Sequence, residues 1–141
     1  KKILKDLLIK AEEIERRSAP FDIVYGHNDL LAANFIKKNN KYFLVDWEYA
    51  GYNTPLFDLG GLSSNNNFNT KQEKLMLENY FENKISNTLM HKFNCIKAAS
   101  LLRETMWSMV AEIISKIDFD YKSYTEQNLE NFYQAYKNLK F

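Results

Sequence analysis

Three polar residues, His27, Asp29 and Asn34, interrupt the apolar run "YGHNDLLAANFI" at residues 25–36. The chain continues as "NFIKKNNKYFLVDWEY", two short apolar segments around the polar turn "KKNN". That pattern predicts a β-hairpin. A hairpin returns the chain on itself, so the start of its first strand and the end of its second are neighbours. Asn34 stands at the first of these points and Asp46 at the other. A polar cluster gathered at one end of a hairpin is the feature that the remaining chain must support.

The remaining chain reads as helix. Ile3, Leu4, Leu7, Leu8, Ala11 and Ile14 recur at helical spacing in residues 3–17, and Pro20 follows the helix. "FDIVYG" predicts a short strand, and "GYNTP" has the chemistry of a loop. Pro55 suits a helix start, although Gly60 and Gly61 weaken that helix. Thr70 and Glu73 have capping-box spacing, as do Ser123 and Glu126. Long helices are expected over roughly residues 88–117 and from Ser123 to near Lys140. The order predicts one domain over residues 1–141, mainly α within an α+β class, with a small hairpin insert.

Composition narrows the function. Hydrophobic residues are 45% of the 141, enough for a core, and the net charge is only +1. That balance argues against a nucleic-acid footprint and against a polybasic membrane patch. No apolar run reaches the length of a membrane span. Cys95 is the single cysteine, so neither an internal disulfide nor a cysteine-built zinc site is available. A cytoplasmic protein is the default.

The spacing H-x-D-x-x-x-x-N matches the catalytic loop of protein kinases, and Asp46 follows Asn34 by twelve residues. Phosphoryl transfer needs a carboxylate to orient the attacking hydroxyl and oxygen ligands to hold Mg²⁺ on the β- and γ-phosphates. Asp29 suits the first task; Asn34 and Asp46 suit the second.

Taken together, "GHNDLLAANFI", "FLVDWEYAGYNTPLFDLGGL" and "WSMVAEIISKIDFDYKSY" resemble the choline/ethanolamine kinases, relatives of the aminoglycoside phosphotransferases. The resemblance spans most of residues 22–136 and implies the C-terminal lobe of a protein-kinase-like fold. It implies an ATP- and Mg²⁺-dependent kinase acting on the hydroxyl of a small amino alcohol, choline foremost, with phosphocholine as product. It assigns Asp29 as the catalytic base or orienting group, and Asn34, Asp46 and Glu48 to the metal. His27 and Asp58 become structural supports. Tyr49 and Trp107 become parts of an aromatic cage for a quaternary ammonium. A trimethylammonium head donates no hydrogen bonds, so ring faces and carboxylates must hold it. Glu104 and Trp107, three apart on one helix face, suit such a cation. Glu104 stands where the eukaryotic enzymes often have a second Trp, which leaves room for ethanolamine or another amino alcohol.

The resemblance also implies parts that are not seen. Only 26 residues precede His27, and none of the four glycines forms a G-x-G-x-x-G loop. The expectation is a C-terminal lobe without its nucleotide lobe, a fragment or natural truncation that is inactive alone and exposes a face open to self-association. Two rival readings accompany this one. The first is a phosphotransferase for aminoglycosides or another metabolite such as thiamine. The second is a non-catalytic kinase lobe that serves as a binding module.

Overall fold

A computed structural model describes residues 2–139. Its elements are α1 (Lys2–Ser18), β1 (Val24–Gly26), a 3₁₀ turn (Ala32–Asn34), β2 (Phe35–Lys38), β3 (Lys41–Leu44), β4 (Gly51–Asn53), α2 (Pro55–Asn65), α3 (Thr70–Phe81), α4 (Asn87–Ile114) and α5 (Tyr121–Asn138). The domain is mainly helical, with two small antiparallel sheets.

α4 is the organising helix. One side packs with α1 and α5 through buried Leu7, Ile14, Cys95, Ala98, Leu102 and Phe132. Another side packs with α2 and α3 through Leu56, Leu59, Leu77, Phe93 and Ile96. A helix buried on two sides shows no single apolar stripe, which explains why its pattern is weak as an amphipathic signal.

α2 forms in full despite its two glycines, and packing supplies the reason. A Cβ on Gly60 would lie 3.0 Å from the Lys97 Cα, so the glycine permits α2 and α4 to cross closely. On Gly61 the nearest atom would be the Ser100 Oγ at 3.3 Å. Close packing here outweighs the propensity cost of about 1 kcal/mol per glycine.

Strands β2 and β3 pair as the sequence predicts, from Phe35 opposite Leu44 to Lys38 opposite Lys41. Asn39 and Asn40 make the turn with positive φ, a conformation asparagine tolerates well. The "GYNTP" stretch departs from expectation. Its first half is strand β4, which pairs with β1 and sets Tyr25 opposite Tyr52, ring edge to face. The pairing partner lies 27 residues away in sequence, from Tyr25 to Tyr52, so local turn chemistry could not reveal it.

Both capping assignments also change. Asn69, not Thr70, caps α3: its side chain accepts from the Lys71 and Gln72 amides, and Gln72 accepts from the Asn69 amide. Glu73 instead is buried, accepting from Ser63 at 2.6 Å and pairing with Lys97 at 2.6 Å. Asp120, not Ser123, caps α5 by accepting from the Ser123 amide at 3.0 Å. α4 ends at Ile114 rather than near 117. Lys140, the expected end of the last helix, lies outside the described residues.

Candidate functional site

The segment from Gly26 to Asn34 is fixed by four separate anchors. Asp58, in the first turn of α2, accepts from the His27 amide at 2.7 Å and the Asn28 amide at 2.6 Å. Gly26 makes that approach possible, because a Cβ there would lie 2.8 Å from the Asp58 Oδ2. Asn28 is the second anchor. Its Nδ2 donates to the Tyr49 and Gly51 carbonyls, and its Oδ1 accepts from Asn53. Its positive φ of 63° suits asparagine.

His27 is the third anchor. It is buried, its Nε2 donates to the Val45 carbonyl at 2.8 Å, and its ring packs edge-on against Trp47 at 4.9 Å. A carbonyl only accepts, so Nε2 carries the proton. Nδ1 is buried and has no hydrogen-bond partner among the described residues. The imidazole thus ties the loop to the end of β3. Asn34 is the fourth: its Nδ2 donates to the Asp29 carbonyl at 3.0 Å, and its own carbonyl accepts from the Val45 amide at 3.0 Å. Asp46 therefore directly follows a residue bonded to Asn34, as a hairpin predicts. Asp46 has φ of 65°, so left-handed backbone at an Asn or Asp occurs in both loops that carry the polar residues.

Metal capacity follows from donor chemistry. The Asn34 amide nitrogen is committed to Asp29, which leaves its Oδ1 as an acceptor. Asp46 and Glu48 are exposed carboxylates on the neighbouring segment. Among the described residues, no group of three or more His, Cys, Asp or Glu is placed to hold a metal by itself. A set of few, hard oxygen donors fits Mg²⁺, which binds through one or two carboxylates and completes its shell with water and phosphate oxygens.

Asp29 opens onto a cavity of about 490 Å³. Glu48, Tyr49, Glu104 and Trp107, all singled out in the sequence, line the same cavity. Asn34, Asp46, His27 and Asp58 do not line it; His27 and Asp58 hold the loop that presents Asp29. Trp107 is 45% exposed, so it is part of the cavity wall rather than core. Its ring meets Tyr121 at 6.1 Å, and Phe119 meets both Tyr121 and Tyr124, at 4.9 and 5.6 Å.

Seven further lining residues were given no site role in the sequence: Leu31, Arg103, Ile117, Asp118, Phe119, Tyr121 and Tyr124. Arg103 donates to Asp29 at 3.1 Å, lies 3.6 Å from Glu104, and sets its guanidinium over the Tyr49 ring at 5.3 Å. The Tyr124 hydroxyl donates to Glu104 at 2.9 Å. Burial, first, and then that bond to a carboxylate push the Tyr124 phenol up, so it remains a donor. The signal available in sequence was the alternation of acid and aromatic in "IDFDY", together with Arg103 one turn before Trp107. The cavity thus joins five aromatic rings, four carboxylates and one guanidinium.

Comparison with known proteins gives a consistent picture. Residues 3–74 match the family model for choline/ethanolamine kinase. A LicA homolog from Metamycoplasma hominis is 46% identical over 54 residues, covering 38% of this chain and 22% of that protein. An ethanolamine kinase of Drosophila melanogaster is 31% identical over 134 residues, covering 80% of this chain and 26% of that protein. In structure, the chain superposes on a choline/ethanolamine kinase family protein from Mesorhizobium loti with a TM-score of 0.84 at 26% identity. That match covers 93% of this chain and 46% of the other, so the chain spans less than half the length of each of these relatives. A matched family model over half of the residues, and a shared fold over nearly all of them, make this chain a member of the choline/ethanolamine kinase family.

Proposed function

We propose that this chain supplies the acceptor site and catalytic loop of an ATP- and Mg²⁺-dependent kinase that phosphorylates a small amino alcohol, choline foremost. The observation that carries the reading is the single cavity in which Asp29 faces Tyr49, Trp107, Phe119, Tyr121 and Tyr124 among Glu48, Glu104 and Asp118. A cation held by ring faces and carboxylates at one end, with its hydroxyl at Asp29, matches that distribution of groups.

In this reading Asp29 accepts a hydrogen bond from the acceptor hydroxyl and aims its oxygen in line at the γ-phosphorus of ATP. The new O–P bond forms as the bond to the β-phosphate oxygen breaks, giving ADP and the phosphate ester. The hydroxyl proton passes to Asp29. Mg²⁺, when bound, offsets the charge of the phosphate oxygens, and Asn34, Asp46 and Glu48 are the residues that would hold it. Asp58, Asn28 and His27 keep the loop in place throughout.

The nucleotide is expected to need a further lobe. Both faces of the β2–β3 hairpin are open, with Phe35, Ile36, Tyr42 and Phe43 all exposed. Such an apolar surface suits coverage by another part of a kinase, or self-association where that part is missing. The 141-residue chain alone is accordingly expected to show no ATP-dependent turnover.

The test is an acceptor panel. The full-length product of the gene, given ATP and Mg²⁺, is assayed with choline, ethanolamine, thiamine and an aminoglycoside. The reading predicts the highest kcat/KM for choline or ethanolamine. Preference for the aminoglycoside or thiamine would overturn it.

A further inference from the structure

We propose that Arg103 is the specificity-determining residue of the acceptor cavity: a resident cation that competes with the acceptor's ammonium group. This rests on the reading of the cavity as a cation site. The guanidinium has the surroundings that a bound organic cation would need. Asp29 is 3.1 Å from its Nη1, Glu104 is 3.6 Å from the same nitrogen, and the Tyr49 ring lies 5.3 Å from its Cζ. Two carboxylates and a ring face at the Asp29 end of the cavity are therefore already occupied by the protein's own positive charge. What remains for a ligand is the rest of the lining, Trp107, Phe119, Tyr121 and Tyr124, with Glu48 and Asp118.

Two consequences follow. The cavity as it stands favours a cation that is content with the remaining rings, because contact with Asp29 must displace a paired arginine. Removing the guanidinium should leave Asp29 and the free oxygen of Glu104 as uncompensated negative charge beside a ring face, an arrangement that attracts a cation. Arg103 also lines a second cavity of about 380 Å³, between α1, α2 and α4. The side chain is thus part of the wall between two spaces, and a displaced guanidinium has adjoining room to occupy.

The experiment is calorimetric titration of the 141-residue chain and its Arg103→Met and Arg103→Lys variants. The ligands are choline, tetramethylammonium and the neutral tert-butyl analogue of choline, in which carbon replaces nitrogen. Arg103→Met should bind both cations about fivefold tighter or better, the scale of one partly exposed ion pair. It should gain nothing for the neutral analogue, and the gain should shrink as salt is raised. Arg103→Lys keeps the charge and should stay within about twofold of the parent, on the same scale of affinity. Equal or weaker cation binding by Arg103→Met would overturn the inference, as would an equal gain for the neutral analogue, which would mean that room and not charge was limiting. Helical circular dichroism checks the fold, and Arg103→Gln replaces the Met variant if that one fails to fold. A Trp107→Leu variant tests the underlying reading separately. If the parent binds choline and Trp107→Leu does not, the cation site stands whatever Arg103 does. If neither the parent nor Arg103→Met binds any cation, both readings fall.

Discussion

Replacing Asp58 by Ala tests how the loop that presents Asp29 is held. The carboxylate accepts two short bonds, from the His27 amide at 2.7 Å and the Asn28 amide at 2.6 Å. His27 is only 2% exposed, so its amide cannot turn to water when the acceptor is removed. A hydrogen bond to a charged group contributes about 1.5–3 kcal/mol, and an orphaned buried donor incurs a cost of similar size. Asp58 is itself partly exposed, which lowers the total. The expected loss is about 2–4 kcal/mol of unfolding free energy, or a drop of about 1–2 M in urea midpoint at a slope near 2 kcal/mol per M. Asp58→Asn retains one acceptor oxygen and should lose roughly half as much. The structure also predicts coupling. Gly26→Ala places a Cβ 2.8 Å from Asp58 Oδ2, so it should be costly in the parent and much milder in the Asp58→Ala background. Urea unfolding followed by circular dichroism reads the parent and all four variants. A loss below about 0.5 kcal/mol for Asp58→Ala, the range of ordinary surface changes, would refute the claim that this carboxylate holds the loop.

Two other predictions concern packing and pH. Gly60→Ala should destabilise by about 1–2 kcal/mol, since overpacking against the Lys97 backbone outweighs the gain in helix propensity, while Gly61→Ala, facing only a Ser100 hydroxyl, should be near neutral; denaturation midpoints separate the two. Alkaline pH should weaken the fold through its partly buried, hydrogen-bonded phenols. Burial and the bond donated to Glu13 push Tyr136 up to about 12 from an ordinary value of 10.0, and burial and Asp6 raise Tyr133. A raised phenol contributes stability that is full below pH 10 and is lost as pH rises toward 12, so unfolding free energy should fall across that window, with phenolate absorbance rising late.

How legible this protein was depended on the range of the interactions. The β2–β3 hairpin and the amphipathic α1 are local patterns, and both formed where the sequence placed them. The β1–β4 pair joins segments that lie far apart, and no local signal announces it. Gly60 reads as a weakness in a helix until the Lys97 backbone is seen against it. Capping erred because several polar residues in a row can each accept a bond, and only the backbone decides among Asn69, Thr70 and Asp120, Ser123. At the site, spacing and resemblance brought out Asp29, Glu48, Tyr49, Glu104 and Trp107, which share one cavity. Arg103 was missed because a helical arginine defaults to a solvated face. Its partner Asp29 lies 74 residues earlier in the chain.

The central claim is that Asp29 orients the acceptor hydroxyl for phosphoryl transfer, and Asp29→Asn tests it most directly. Phosphorylation of choline from ATP by the full-length product of the gene is measured beside choline affinity and urea stability. The account predicts that kcat falls about 10²–10⁴-fold, the usual contribution of a positioned acid–base group, while stability is little changed and choline affinity falls by no more than about fivefold as Arg103 loses one partner. Retention of most of the turnover by a folded, choline-binding Asp29→Asn enzyme would contradict it.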